Sequence, residues 1–323
     1  MMRRRQLSRS LVSTVAALFL TALVVVPLYG WGISGHQLVT YNAVELLPAG
    51  LKGFFEANLA SIEAFSNEPD LLSARDATEG PNHYFDLDAF DSPPFEKIPS
   101  DEKAFVEKFG RDALKKGRLP WAVGERYRAL VDAFAKKDLQ RALKEAGYLS
   151  HYAADSTMPL HATVNYKGQL SGNVIFKGDS PARHVHARFE IGMIDAHLGK
   201  LQEALSKREL KVRAVKDPAA MTFEALKKAY PLANDILKAD RALLVRGDLL
   251  SREYYSGLYE KTGHIAEEGL AGAVELVASY WISAWKEAGS PRLPVVEVVL
   301  SKPPAEALST TGRGVKKSEG ASE

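Results

Sequence analysis

Between residues 31 and 288, apolar side chains recur at helical spacing in one stretch after another, and strand signals are scarce. "GHQLVTYNAVELLP" sets Val39, Ala43, Leu46 and Leu47 on one stripe before Pro48 stops it. "SDEKAFVEKFGRDALKKG" opens at a Ser100 cap with acids in its first turn, and "WAVGERYRALVDAFAKK" follows a break at Pro120. "DLQRALKEAGYLSHYAAD" starts at Asp138, and "PARHVHARFEIGMIDAHLGKLQEAL" is a long amphipathic run. The stretch from Ser251 to Gly289 reads as two further helices. This pattern predicts an all-α fold: one multi-helix domain over residues 31–288 with no internal repeat. Two irregular regions interrupt it. Residues 67–99 are rich in Pro, Asp and Asn, and residues 164–183 form a Gly-containing loop. Long loops in compact domains often carry function.

The ends read differently. Residues 1–30 combine Arg3, Arg4, Arg5 and Arg9, a sixteen-residue apolar run at 11–26, and Pro27. That is the pattern of a cleaved secretory signal peptide, since a membrane span needs about 20 apolar residues. The expected product is a secreted or periplasmic protein whose mature chain starts near Trp31. Loss of the leader leaves 38 basic against 40 acidic residues, so no basic surplus argues for nucleic acid on charge alone. With no Cys there are no disulfides, and stability must come from packing or bound metal. Residues 289–323 are expected to be a mostly disordered tail, within which "LPVVEVVL" could add a strand.

The eight histidines carry the chemical signal. His151 stands four residues before Asp155 in "SHYAAD", and His186 four before Glu190 in "VHARFE". That spacing places both side chains of a pair on one helix face, where they can share a cation. One such pair alone reads as a solvent-facing contact worth a few tenths of a kcal/mol. Two pairs flanking the same irregular loop favour a metal. His161 follows in "MPLH", and His83 lies in the other loop with Asp70, Asp86 and Asp88 nearby. Imidazole and carboxylate without thiolate suit catalytic zinc.

The ordered set Trp31, His36, Asp70, His83, His151, Asp155, His161, His186 and Glu190 resembles the zinc-dependent phospholipases C and the related fungal single-strand-specific nucleases. The resemblance covers residues 31–198. It implies an all-helical fold with three zinc ions in one cleft. It also implies that the α-amine and carbonyl of a mature N-terminal Trp31 bind one zinc with His36. Asp70, His83, His151 and Asp155 would hold a second ion, with Asp155 bridging, and His161, His186 and Glu190 the remaining one. His184 would lie near the site without ligating, and His197 and His264 would be ordinary. The implied reaction is phosphodiester hydrolysis, with Asp70 orienting the attacking water or taking its proton.

Glu190, "PNHYFDLD" and "LSHYAADSTMPLHATVNY" resemble the phospholipase side. The short Trp31-to-His36 spacing and "SGN" at Ser171–Asn173 resemble the nucleases, whose base pocket carries a related Gly-Gly-Asn. Tyr84, Phe85, Tyr152 and Phe189 could contact acyl chains, stack on bases, or serve as core. The expected substrate is therefore a phospholipid headgroup, with single-stranded nucleic acid as the alternative. A non-catalytic zinc-binding protein is the reading from another class. No stable protein partner is implied, and a monomer is expected.

Overall fold

The computed structural model describes residues 31–176, 183–244, 251–302 and 304. The expected signal peptide and the last part of the expected tail lie outside the described residues, as does the end of the second loop. Among those described, the architecture is all-α. The helices are α1 (Gly32–Glu45), α2 (Ala49–Ala57), α3 (Leu59–Ser73), α4 (Glu102–Phe109), α5 (Leu119–Lys136), α6 (Leu139–Asp155), α7 (Val185–Ala187), α8 (Ile194–Ser206), α9 (Pro218–Ala229), α10 (Ala233–Leu244) and α11 (Arg252–Glu287). A single π-helical turn, Arg188–Met193, joins α7 to α8. Aspartate and serine caps start four of these helices: Asp101, Asp138, Asp217 and Ser251 each accept a backbone N–H from the first turn.

Two helices run through the middle of the molecule. α6 packs on α3, α5 and α11, and α11 also meets α1, α8 and α10. From Glu145 to Asp155 every residue of α6 is buried, so His151 and Asp155 have no access to bulk water to satisfy them. The core is continuous, with Trp281, Tyr280, Phe54, Phe55 and Phe134 among its largest side chains. A second aromatic group anchors the first loop. Phe85 is fully buried, with Phe105, Trp121 and Phe223 around it at ring separations of 5.1–5.6 Å. It pins the backbone two residues beyond His83.

Several boundaries differ from the sequence reading. The cap of α4 is Asp101, one residue beyond Ser100, and the stretch breaks at Gly110 into α4 and a 3₁₀ segment. α3 continues through Pro69 to Ser73, so Asp70 sits on a helix instead of in the first loop. The span after Ser251 is one helix of 36 residues, not two. Its glycines allow close approach instead of breaking it: a Cβ on Gly269 would lie 2.6 Å from the Trp31 ring. α9 and α10 were not singled out by periodicity. Residues 289–302 have no regular element, and "LPVVEVVL" forms no strand among the described residues. This segment is nonetheless fixed. Asn58 donates to Val296 O and accepts from Val298 N, at 2.9 and 2.7 Å, and Ser301 donates to Gln140.

Candidate metal centre

The sequence-predicted side chains converge. Three groups of buried donors lie close enough to hold a cation each: His36, His151 and Asp155; Asp70, His83 and His151; and His161, His186 and Glu190. α1 supplies His36, α3 Asp70, α6 His151 and Asp155, and the π-turn Glu190. His83 and His161 come from 3₁₀ turns that hold each other, since Phe85 N–H donates to His161 O at 2.9 Å.

Asp155 stands at the junction. Its Oδ2 lies 3.2 Å from both His83 Nδ1 and His151 Nε2, while its Oδ1 faces His36 Nε2 at 3.5 Å and His161 Nδ1 at 3.8 Å. The two oxygens of one carboxylate therefore look toward different donor groups. Asp70 Oδ1 completes the second group, 3.4 Å from His83 and 3.6 Å from His151.

These donors fit a metal better than they fit one another. His151 Nδ1 lies 2.7 Å from Ser66 O, a bond that puts the proton on Nδ1 and leaves a lone pair on Nε2. His83 Nε2 faces Glu79 Oε1 at 3.5 Å without a hydrogen bond, while its Nδ1 lies 3.2 Å from Asp155 Oδ2. The lone pair of His151 Nε2 lies 2.9 Å from His83 Nδ1, and both nitrogens face Asp155 Oδ2 at 3.2 Å, so they converge on one point. His186 Nε2 and Glu190 Oε2 approach to 2.7 Å without the alignment of a hydrogen bond, as two ligands aimed at one point would. Both nitrogens of His36, Asp155 Oδ1, His161 Nδ1 and both oxygens of Glu190 are buried without a hydrogen-bond partner. Native interiors do not leave so many polar atoms unpaired together.

Charge points the same way. Burial, then neighbouring imidazoles, hold His36 and His186 well below the ordinary histidine range, and burial holds His161 at about 4. Burial, then Asp70 and Asp155, push the Glu190 carboxyl well above its usual value. Against the pull of burial, Asp155, Glu79 and Asp70 hold His83 up at about 10, and Asp155 and Asp70 raise His151, so these imidazoles take up protons where a cation against the same carboxylates would replace them. Histidine and carboxylate donors without thiolate are a zinc set.

His151 Nε2 cannot serve two ions, so the group of His36 and Asp155 is short of a donor. Trp31 is the adjacent residue. Its indole N–H donates to Ala154 O at 2.9 Å, one residue before Asp155, and its ring is fully buried beside Phe189. His184 is placed as expected, near the site but turned to cap α7, where its Nδ1 accepts from Ala187 N–H. His197 lies at a kink in α8 and contacts Tyr255 O, and His264 is exposed.

Sequence reasoning missed Glu79. It lies four residues before His83, the same spacing that marked the other pairs, but inside the stretch 67–99 that reads as irregular. A 3₁₀ turn closes the gap, and the Tyr152 hydroxyl donates to the same carboxylate. Arg188 and Asp240, the buried pair behind the π-turn, were also missed. Asn173 is not free to read a base. Its amide donates to Leu237 O and Asp240 Oδ2, and its Oδ1 accepts from Ser171. Phe85, Tyr152 and Phe189 are buried as well.

The family model of zinc dependent phospholipase C matches residues 35–235. The chain belongs to that family. That family is described by its dependence on zinc and its phospholipase C activity. A curated relative, named as a probable serine protease of Bradyrhizobium tropiciagri, is 26% identical over 263 residues, covering 68% of this chain and 33% of that protein. The chain thus spans about a third of that relative's length. Alpha toxin from Clostridium absonum is a structural neighbour at 17% identity and a TM-score of 0.49, over 79% of this chain and 63% of the toxin chain.

Proposed function

We propose that the chain is a phospholipase C-like phosphodiesterase that cleaves the headgroup phosphate of a phospholipid in a three-zinc cleft. The observation that carries this reading is Asp155, whose two oxygens face separate groups of buried donors. His161, His186 and Glu190 would hold one ion, Asp70, His83 and His151 a second, and His36 with the Trp31 backbone a third, Asp155 bridging the last two. Bound zinc supplies a water that ionises near neutral pH and positive charge opposite the phosphate.

The chain's own groups do the rest. Ser66 O fixes the imidazole proton of His151 on Nδ1, so its Nε2 points inward before any ligand arrives. Asp70 orients the attacking water and takes its proton. The water oxygen bonds to phosphorus as the P–O bond to the leaving oxygen breaks, and that oxygen takes up a proton in place of the one given to Asp70 and departs as the alcohol. Burial of the whole donor set keeps bulk water from screening that charge. The Trp31 role requires a free amine, and with it export and cleavage of residues 1–30.

The nuclease alternative loses one of its two sequence supports, because the Asn173 amide is committed to Leu237 O and Asp240, while the short Trp31-to-His36 spacing stands. Purified protein should hydrolyse phosphatidylcholine but not single-stranded DNA, lose activity to a chelator, and regain it with zinc. Asp155→Asn should lose more than one zinc by elemental analysis and nearly all activity. Cleavage of DNA alone, or full zinc in Asp155→Asn, would sink this reading.

A further inference from the structure

Residues 164–176 meet the metal-ligand cluster at Tyr166, beside His186, and carry an unusual combination: a rigid backbone with exposed aliphatic side chains. Leu170 is 71% exposed, Val174 42% and Ile175 44%. Nothing about the loop is slack. Asn165 Oδ1 accepts from Leu170 N–H at 2.8 Å and its amide reaches Ser171. Gly168 O accepts from both Ser171 and Asn173 N–H at 3.1 Å. Gly168 has φ +75, and a Cβ there would fall 2.4 Å from Asn173 Cβ, so the turn requires glycine. Asn173 is bolted to α10 through Leu237 O and Asp240, Arg241 donates to Ser171 O, and Arg188 donates to Val174 O at 3.2 Å. Holding aliphatic groups in water in a fixed geometry is unfavourable for folding alone, and such patches commonly mark a binding surface.

The loop also adjoins the chemistry. The Tyr166 ring meets the His186 ring edge-on at 5.7 Å, and the Lys167 ammonium lies over that tyrosine at 4.9 Å. We propose that residues 164–176 are an interfacial docking loop, whose Leu170, Val174 and Ile175 enter the acyl region of a phospholipid bilayer beside the metal-ligand cluster. This deepens the phospholipase reading and rests on it for the choice of lipid. Two features favour a bilayer over nucleic acid. The exposed groups are aliphatic, whereas bases need flat aromatic partners. The two aromatics on the described loop are already engaged: Tyr166 meets the His186 ring and Phe176 lies against the Arg188 guanidinium. Lys167 adds a cation at headgroup level, next to where lipid phosphate must approach the site. Aliphatic insertion with a basic flank is the physics of interfacial binding.

The test uses the full, zinc-loaded chain and phosphatidylcholine vesicles, with binding read by sedimentation. The variant Leu170→Ser/Val174→Ser/Ile175→Ser should partition roughly tenfold less onto vesicles, from the apolar area it no longer buries. Hydrolysis of bilayer phosphatidylcholine should fall in parallel, while zinc content, helicity and hydrolysis of a monomeric short-chain phosphatidylcholine stay unchanged. A control patch is available in Val295 and Val299, 70% and 87% exposed, on the segment that Ser301 ties to Gln140, at the far end of α6 from Asp155. Val295→Ser/Val299→Ser should bind vesicles like the parent. As a second measurement, Leu170→Trp should show a blue-shifted emission on adding vesicles.

Undiminished vesicle binding by the triple variant, or loss of binding in the control instead, would overturn the assignment. So would a parent protein that cleaves the monomeric ester yet ignores vesicles, and there the enzymatic reading would stand. A shift to dimer that the triple variant abolishes would assign the loop to a second copy of the chain. Loss of DNA cleavage in the triple variant, with no ester hydrolysis by the parent, would overturn both readings. Loop-dependent vesicle binding by a protein that hydrolyses no phosphocholine ester would support docking and refute the phospholipase.

Discussion

At Trp31 the side chain and the backbone answer to different demands. The indole is core, donating to Ala154 O and lying against Gly269. The proposed ligand is the amine, which titrates near 8 when free and cannot ligate as an amide. A chain starting at Trp31 should hold about three zincs, since the donor set then offers three or more protein ligands per ion. Retaining Gly30 should cost one zinc and most activity, with the other two retained. Metal counts on the two forms decide it, and three zincs with Gly30 attached would refute the amine ligand. Asp86 illustrates a different residue-level effect. Burial, then Asp88, push its carboxyl up to about 7. Its folded value exceeds the unfolded one, so the unfolded chain loses this proton first. The stability that goes with the neutral form is present below about pH 4 and is lost as pH rises toward 7. Asp86→Asn should therefore stabilise by about 2–4 kcal/mol at neutral and higher pH, an order-of-magnitude figure from the shift. The advantage should vanish in acid. Paired thermal melts across pH would show it, and an equal gain at all pH values would contradict it.

Among the elements, the π-turn Arg188–Met193 is the one that the site depends on most directly. It holds Glu190 on the metal side and turns Arg188 to the back, where the guanidinium is fully buried. Arg188 makes a two-pronged pair with Asp240, at 2.8 and 2.9 Å, and Asp240 also accepts from Tyr254 and Asn173. One pair thus joins the π-turn, α10, α11 and the docking loop. Arg188→Met should destabilise by about 3–5 kcal/mol, because it leaves Asp240 as a buried charge without its main counterion. Arg188→Met/Asp240→Leu should recover most of that stability, as replaced buried ion pairs often do. Denaturant melts of the single and double variants test this, and a double variant no better than the single would show that the network, not the charge, is what matters.

For the whole molecule, the metal centre is also a structural joint. It collects donors from α1, α3, α6, the π-turn and two 3₁₀ turns, and buries Asp70, Asp155 and Glu190 together. Removing the cations would leave this charge in the interior of a chain with no disulfide. Chelation should lower the melting temperature sharply and loosen the first loop, with recovery on zinc addition in proportion to binding. A melting temperature indifferent to chelator would mean the helices hold without the ions.

Helical periodicity and the spacing of His151–Asp155 and His186–Glu190 were legible along the chain because both are local. Hydrophobic repeat and same-face geometry follow from 3.6 residues per turn, whatever the helix packs against. The same logic failed where neighbours override local preference. Pro69 stays inside α3, and the glycines of α11 are tolerated because the helix is packed, with Gly269 making room for the Trp31 ring. Glu79, Ser66 O and the Arg188–Asp240 pair were invisible because their partners are remote in sequence or carried on irregular backbone. Asn173 looked like a recognition group until its amide was seen spent on α10. The sequence by itself determined the helical class and which residue types could ligate. Only the tertiary structure decided which donors face one another without protons between them, because that depends on distances across helices, and those are set by packing.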